Sequence, residues 1–353
     1  MATDTTAVAD IEVVGSALGA YPGGEIVGIL RPPTGDGDGP DDDAPLSHLR
    51  NAWVLVPRLL PCGECEPCRR GRGSVCPALS RRPARPQPIE TVPARFVLPL
   101  TPPYLSAVPS ADQVFRFAAL SDGLLAPYSG LVRAGLGPGT LCVVLGRGFR
   151  AALSIVVARA LGAAVAVVCS DATAAAAVLT QDPYGALAVI DDDGQDGART
   201  RAALRQIAQD AGLPPHGLCL LETTGSDAGR ARAISLLEAG GTAVLLDRAH
   251  PITPVGSTLA ADLPLGPALG SMASLVRPIA EGCQILGGGA VHPDLLPELL
   301  ALCERGRIDL AALTSAVDPN DVDEVMAQRR RGQGNPWVLP IVRYPVRSGV
   351  IPL

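Results

Sequence analysis

Apolar and polar residues do not keep one rhythm along this chain. The first 50 residues hold little regular pattern, and the stretch Gly35 to Asp43 (GDGDGPDDD) mixes breakers with acidic charge, which predicts an exposed loop. Short apolar runs bounded by proline, Trp53–Pro57 (WVLVP) and Arg95–Pro99 (RFVLP), predict strands of a small β-rich unit, with Pro-rich Arg82 to Pro93 as a loop between them. After Ser121 the rhythm changes. Continuous apolar runs at Leu141–Leu145, Ala164–Val168, Ala186–Ile190, Leu218–Leu221 and Thr242–Leu246 alternate with Ala-rich helical stretches at Ala151–Leu161, Thr200–Ala211 and Arg230–Ala239. Runs apolar throughout suit strands covered on both faces, and the helices supply the crossovers of a doubly wound parallel sheet. A sixth strand is predicted at Cys283–Leu286, a helix at Pro293–Arg305, and a last strand at Trp337–Ile341 returning to the first unit.

Composition narrows the function. The 353 residues predict two domains. With 47% hydrophobic and 18% charged residues the chain is not largely disordered. All 29 basic residues are arginine, which removes a P-loop lysine and any lysine Schiff base. A net charge of -6 argues against a nucleic-acid surface and toward a small-molecule substrate. The N-terminus lacks a basic, then apolar, signal pattern, and the most apolar stretch, Ala151 to Cys169, is broken by Arg159 and Gly162, so a cytoplasmic location with no membrane span is expected. The acidic loop lacks the terminal Glu and flanking helices of a calcium-binding EF-hand.

Of nine cysteines, four lie in CGECEPCRRGRGSVC: Cys62, Cys65, Cys68 and Cys76, spaced C-x2-C-x2-C-x7-C. Local thiolates at this spacing can wrap one Zn(II) tetrahedrally, whereas the bacterial iron–sulfur run is C-x2-C-x2-C-x3-C-P. Four protein ligands leave no open position, so the metal would be structural. A second motif follows the Leu141–Leu145 run. Gly146, Gly148 and Ala151 form G-x-G-x-x-A at the head of a helix: the first glycine allows the turn, the second lets a pyrophosphate approach the backbone, and the alanine permits close helix–strand packing. The acidic residue expected about 20 positions on is displaced: Cys169 and Ser170 hold that place and Asp171 follows. Arg147 and Arg150 stand in the turn, able either to pair with phosphates or to crowd them.

The zinc-loop motif followed by a Rossmann turn resembles the zinc-containing medium-chain alcohol dehydrogenases, from about Val13 to the C-terminus. Within that family LPCGECEPCRRGRGSVC, SDGLLAPYSGLVRAGL and LLPELLALCERGRIDL look most like the 6-hydroxycyclohex-1-ene-1-carbonyl-CoA dehydrogenases. The resemblance implies an α/β fold with a GroES-like β-rich domain, 1–124 and 290–353, and an inserted Rossmann domain, 125–289. It also implies an NAD(P) cofactor, a small cyclic acyl-CoA or alcohol as substrate, and a homo- or hetero-oligomer. The catalytic zinc contexts of the family are degraded here. In VVGSALG, Val14 stands at the cysteine position, Ala17 at the acid and Gly19 at the histidine, while the G-H-E segment reads Gly23-Gly24-Glu25. Glu25 and Asp122 remain as candidate catalytic carboxylates. His48, His216, His250 and His292 lie in no recognisable motif, and Asp247 replaces the glycine usual after the fifth strand. Two functions are therefore expected to compete: an oxidoreductase that has dispensed with catalytic zinc, and a non-catalytic relative serving as a partner subunit.

Overall fold

The computed structural model describes residues 8–18, 25–31, 46, 49, 51–70, 73–82, 86–102, 105–192, 197–246, 278–288 and 295–347, with the backbone alone at 74, 81 and 122. The acidic loop, Gly19, Gly23, Gly24, Asp247, His48, His250 and His292 lie outside the described residues.

Seven strands precede the first long helix: β1 (Val8–Ala17), β2 (Ile26–Leu30), β3 (Trp53–Val56), β4 (Leu59–Leu60), β5 (Ser80–Arg81), β6 (Ile89–Pro93) and β7 (Leu98–Pro99). Helix α1 (Leu125–Arg133) leads to six strands, β8 (Leu141–Leu145), β9 (Ala164–Cys169), β10 (Ala188–Asp191), β11 (Cys219–Glu222), β12 (Thr242–Leu245) and β13 (Gln284–Gly287). Between them run α2 (Phe149–Ala160), α3 (Ala172–Leu179), α4 (Gly197–Asp210) and α5 (Asp227–Leu236). The chain continues through α6 (Leu296–Glu304), β14 (Thr314–Val317), α7 (Val322–Arg330) and β15 (Leu339–Arg343).

The predicted parallel sheet is present, in the order β10-β9-β8-β11-β12-β13, with every pairing parallel. Numbered within itself this is 3-2-1-4-5-6, the doubly wound order whose direction reverses between β8 and β11. Its central strands are buried throughout because helices cover both faces.

The other sheet draws on both ends of the chain: β14-β15-β1-β2-β3-β7, with β6 also on β1. Here three sequence expectations need correction. The first 50 residues contain β1 and β2. Their regularity is hidden because charged Glu12 is buried inside β1, where it is paired to Arg31, and because small residues interrupt the apolar run. The loop expected over Arg82–Pro93 ends in β6, whose alternating exposure fits a strand tolerating proline at its terminus. Of the strand expected at Arg95–Pro99 only β7 forms, since Ala94–Phe96 make a turn of 3-10 helix. Val14, Val27 and Trp53 of this sheet share one apolar core with Val144, Ala151 and Leu221 of the other. Among the described residues no helix is long and apolar enough to cross a membrane.

Candidate dinucleotide crevice and cysteine metal centre

The cysteine loop hangs from a small antiparallel ladder, Leu59–Leu60 against Ser80–Arg81, that brings Cys62 and Cys76 back to one place. A single helical turn, Glu66–Arg69, begins with a proline and folds Cys65 and Cys68 inward. All four sulfurs lie within 4.8 Å of one another. Cys65 Sγ stands 3.3 Å from Cys68 Sγ and 3.8 Å from Cys76 Sγ, and Cys62 Sγ 4.0 Å from Cys68 Sγ. A tetrahedron of Zn–S bonds of about 2.3 Å has sulfur–sulfur edges of about 3.8 Å, so the donor set fits zinc in chemistry and in size. The Cys65 and Glu64 backbone groups lower the Cys62 thiol to about 6, the Cys65 N–H donating to Cys62 Sγ at 3.4 Å. Burial and the neighbouring Cys65 thiol push Cys68 up to about 12. Among the described residues this is the one group of three or more His, Cys, Asp or Glu side chains able to share a metal.

Arg82, the next residue after β5, anchors the loop to β6 of the larger antiparallel sheet. Its Nη2 donates to Glu90 Oε2 at 2.8 Å, and Glu90 Oε1 also accepts the Gln87 N–H at 2.5 Å. Burial lowers the Arg82 pKa, with Glu90 and then Glu25 opposing. Glu25 is therefore fully enclosed, at 0% exposure, in the field of Arg82. Asp122 falls in the π-helical turn Leu120–Leu124 that leads into α1.

The glycine turn sits at the carboxyl end of β8. Gly146 has φ +133° and Gly148, at the N-cap of α2, has φ +80°, both in the region where side chains are strained. A β-carbon on Gly146 would collide with the Thr223 hydroxyl. Ala151 is fully buried, at 0% exposure, which lets α2 lie close on the sheet. Beside the turn opens a cavity of about 330 Å³ whose lining includes Gly146, Arg147, Cys169, Ser170, Asp192 and Arg232. It lies across the ends of β8, β9, β10 and β11, next to the point where the strand order reverses, which is where open α/β sheets bind ligands. Burial pushes the Cys169 thiol up, against the pull of Arg147. Asp171 is exposed, with φ +63°, at the head of α3.

Sequence reasoning missed the polar half of this cavity. Arg232 on α5 is ion-paired to Asp192 and donates to Thr200 Oγ1 at 3.1 Å. Behind the lining residue Thr224, Glu222 accepts the Thr224 N–H at 2.6 Å and the Gly225 N–H at 3.0 Å, while burial pushes its pKa up. The available signal was position: each of these residues falls at or just beyond the carboxyl end of a strand, or on the helix that follows. Over the turn, the Arg329 guanidinium of α7 stacks 5.0 Å from the Phe149 ring, and the Pro336 carbonyl lies 3.5 Å from where a β-carbon on residue 148 would stand. His216 is exposed.

No protein-family model and no curated protein matches the chain. Solved structures do. Galactitol-1-phosphate dehydrogenase from Escherichia coli superposes with a TM-score of 0.70 at 16% identity, over 98% of this chain and 94% of that one. The alcohol dehydrogenase TADH from Thermus sp. ATN1 gives 0.67 at 20% identity over the same shares. A protein from Escherichia coli CFT073, described as a short-chain alcohol dehydrogenase and solved with NADH, gives 0.70 at 13%, again over 98% and 94%. The fold is that of the alcohol dehydrogenases.

Two of the positions that the sequence resemblance assigns to a catalytic zinc context, Val14 and Ala17, are buried. Val14 is 3% exposed and Ala17 0%, and both belong to the apolar core with Val27, Trp53 and Phe115. Neither side chain offers a ligand atom. Tyr128, at the junction of the two sheets, donates its hydroxyl to Glu298 Oε2 at 2.5 Å and ties α1 to α6. Burial and that carboxylate raise its pKa. Ser129 is buried beside it.

Proposed function

We propose that this chain is an NAD(P)-dependent oxidoreductase of the medium-chain alcohol dehydrogenase kind. In this reading it keeps a structural zinc on Cys62, Cys65, Cys68 and Cys76 and works without a catalytic one. Residues 1–124 and 290–353 form the catalytic-type unit and 125–289 the dinucleotide unit. The observation that carries the reading is the left-handed Gly146–Gly148 turn, heading α2 and opening onto the crevice at the sheet's reversal point. Bound there, the dinucleotide would supply a hydride donor or acceptor.

The chain's own residues would do the rest. The N–H groups at the start of α2 and the helix dipole attract the pyrophosphate, and Ala151 keeps the helix close enough for them to reach it. Arg147, exposed at the mouth beside Ser170, offers a cation to a ribose 2′-phosphate, and Asp171 an acceptor to a 2′-hydroxyl. Glu25, enclosed beside Arg82, braces the zinc loop, which leaves Asp122 as the carboxylate of the pair with backbone between the two sheets. A cyclic acyl-CoA or alcohol is the substrate class implied by SDGLLAPYSGLVRAGL and its companion phrases, and a soluble, cytoplasmic oligomer is the form expected.

A second reading, a non-catalytic partner subunit, is favoured by the apolar packing of Val14 and Ala17. One experiment separates the two. NADH and NADPH are titrated by fluorescence, and then NAD(P)+ reduction is followed with a cyclic hydroxyacyl-CoA and simple alcohols. Dinucleotide binding with substrate-dependent reduction supports the enzyme. Absence of both leaves the subunit.

A further inference from the structure

A second cavity lies away from the crevice and shares no lining residue with it. Its volume is about 410 Å³, between the segment after β7 and the chain following α6, within the range of about 300–1,000 Å³ typical of small-molecule sites. Leu105, Val108, Phe117, Ile308 and Leu310 make its walls apolar. Three charged side chains also line it: Arg116, Glu304 and Asp309.

Each charge is held in place by neighbouring protein groups, and Glu304 also lies in the field of Arg305. Arg116 Nη1 donates to Thr314 Oγ1 at 2.8 Å and to the Thr314 carbonyl at 3.1 Å, with its guanidinium 4.9 Å over the Phe115 ring. These acceptors are neutral, and among the described residues no carboxylate pairs with Arg116. Glu304 Oε1 accepts the Ser106 N–H, and Asp309 Oδ1 accepts the Ala311 N–H at 2.8 Å. Asp309 Oδ1 also accepts the Ala312 N–H at 3.4 Å. The Ser106 hydroxyl and N–H hold Glu304 below the usual carboxylate range, so it is ionised near neutrality.

One fixed cation and two fixed anions around an apolar hollow complement a molecule with a carboxylate, an ammonium and a hydrocarbon body. We infer that this cavity binds a free α-amino acid with an apolar side chain, its carboxylate on Arg116, its ammonium on Glu304 and Asp309, and its side chain against Leu105, Phe117 and Ile308. A simple carboxylic acid would satisfy Arg116 and face two repelling carboxylates. A simple amine would leave Arg116 desolvated against an apolar wall without an anion, which is unfavourable.

The test is titration calorimetry of the full-length, zinc-loaded protein with L-phenylalanine, benzoate and phenethylamine. A charge-assisted hydrogen bond contributes enough that L-phenylalanine should bind at least about tenfold more tightly than either one-charge analogue. Arg116→Gln should weaken phenylalanine by a similar factor. Ala311→Trp, which fills the cavity from an exposed position and leaves all three charged side chains and the residue 311 backbone groups they bond in place, should abolish binding and leave NADPH titration unchanged. If Arg116→Gln does not fold, Ala311→Trp decides alone. Equal affinity for the three probes, phenylalanine binding that survives Ala311→Trp, or no binding at millimolar concentration overturns the inference, and none of these bears on the dinucleotide reading.

Discussion

The Thr223 hydroxyl, just beyond β11, donates to the Leu145 carbonyl at the end of β8 at 3.0 Å, and so occupies the space a side chain at residue 146 would need. Gly146 is thus required twice, by its φ of +133° and by this hydroxyl. Gly146→Ala should destabilise the protein by about 1–3 kcal/mol in urea unfolding and remove dinucleotide binding. Gly148→Ala meets only the Pro336 carbonyl, at 3.5 Å, so its cost should stay near the strain alone, about 1 kcal/mol. Equal losses for the two would mean that the Thr223 contact does not matter.

Elemental analysis should find one zinc per chain. Cys68→Ser should release it, because a fourth thiolate is needed to close the tetrahedron. The altered chain should lose thermal stability and keep the parallel sheet, as read by far-UV circular dichroism. Two zinc ions per chain would show that a catalytic site survives outside the described residues.

On the proposed reading, a single cysteine at residue 14 should not create a catalytic zinc site. Val14→Cys places a thiol inside the apolar core with Val27 and Trp53, where burial holds it protonated. Zinc content and alcohol oxidation should both stay unchanged, with turnover below about 1 per second. Faster turnover in the unaltered chain would instead point to zinc-free chemistry around Asp122.

NADPH should bind more tightly than NADH, because Arg147 lines the crevice and the end of β9 carries Cys169 and Ser170 in place of an acid. Arg147→Ala should erase the difference in fluorescence titration. A preference for NADH that Arg147→Ala leaves untouched would assign the ribose contact to Asp171.

Glu90→Gln should cost about 3–5 kcal/mol, since it leaves Arg82 buried without its ion-pair partner. Urea unfolding measures the loss.

What could be read from the chain follows from how local each signal is. The strands β8 to β12 are legible because Leu141–Leu145 and its counterparts are buried on both faces and so remain apolar throughout. The metal loop is legible because its four ligands lie in one short run. β1 is not, because Glu12 is neutralised by Arg31, a residue on the far side of β2, and only the fold brings the two together. The Asp192–Arg232 pair is hidden for the same reason, its halves separated by α4 and β11. The packing around Val14 is legible only in part. Val14 can be read from the sequence, but its apolar surroundings come from β2, β3 and the Phe115 turn.

The antiparallel pairing of Gly15, Ser16 and Ala17 with Arg343, Val342 and Ile341 sets an order on folding. Each strand of the parallel sheet finds its neighbours among segments made shortly before or after it, and can assemble while synthesis continues. β1 is made before the other described strands, and β6 soon covers Val8–Glu12 along one edge, yet Gly15–Ala17 on that edge must wait for most of the described strands before β15 arrives to cover them. Until then that stretch of edge is an open template for pairing with other chains. Loss of the segment from β14 onward would make the exposure permanent, so a truncated chain is expected in the insoluble fraction even though its dinucleotide-type sheet is intact.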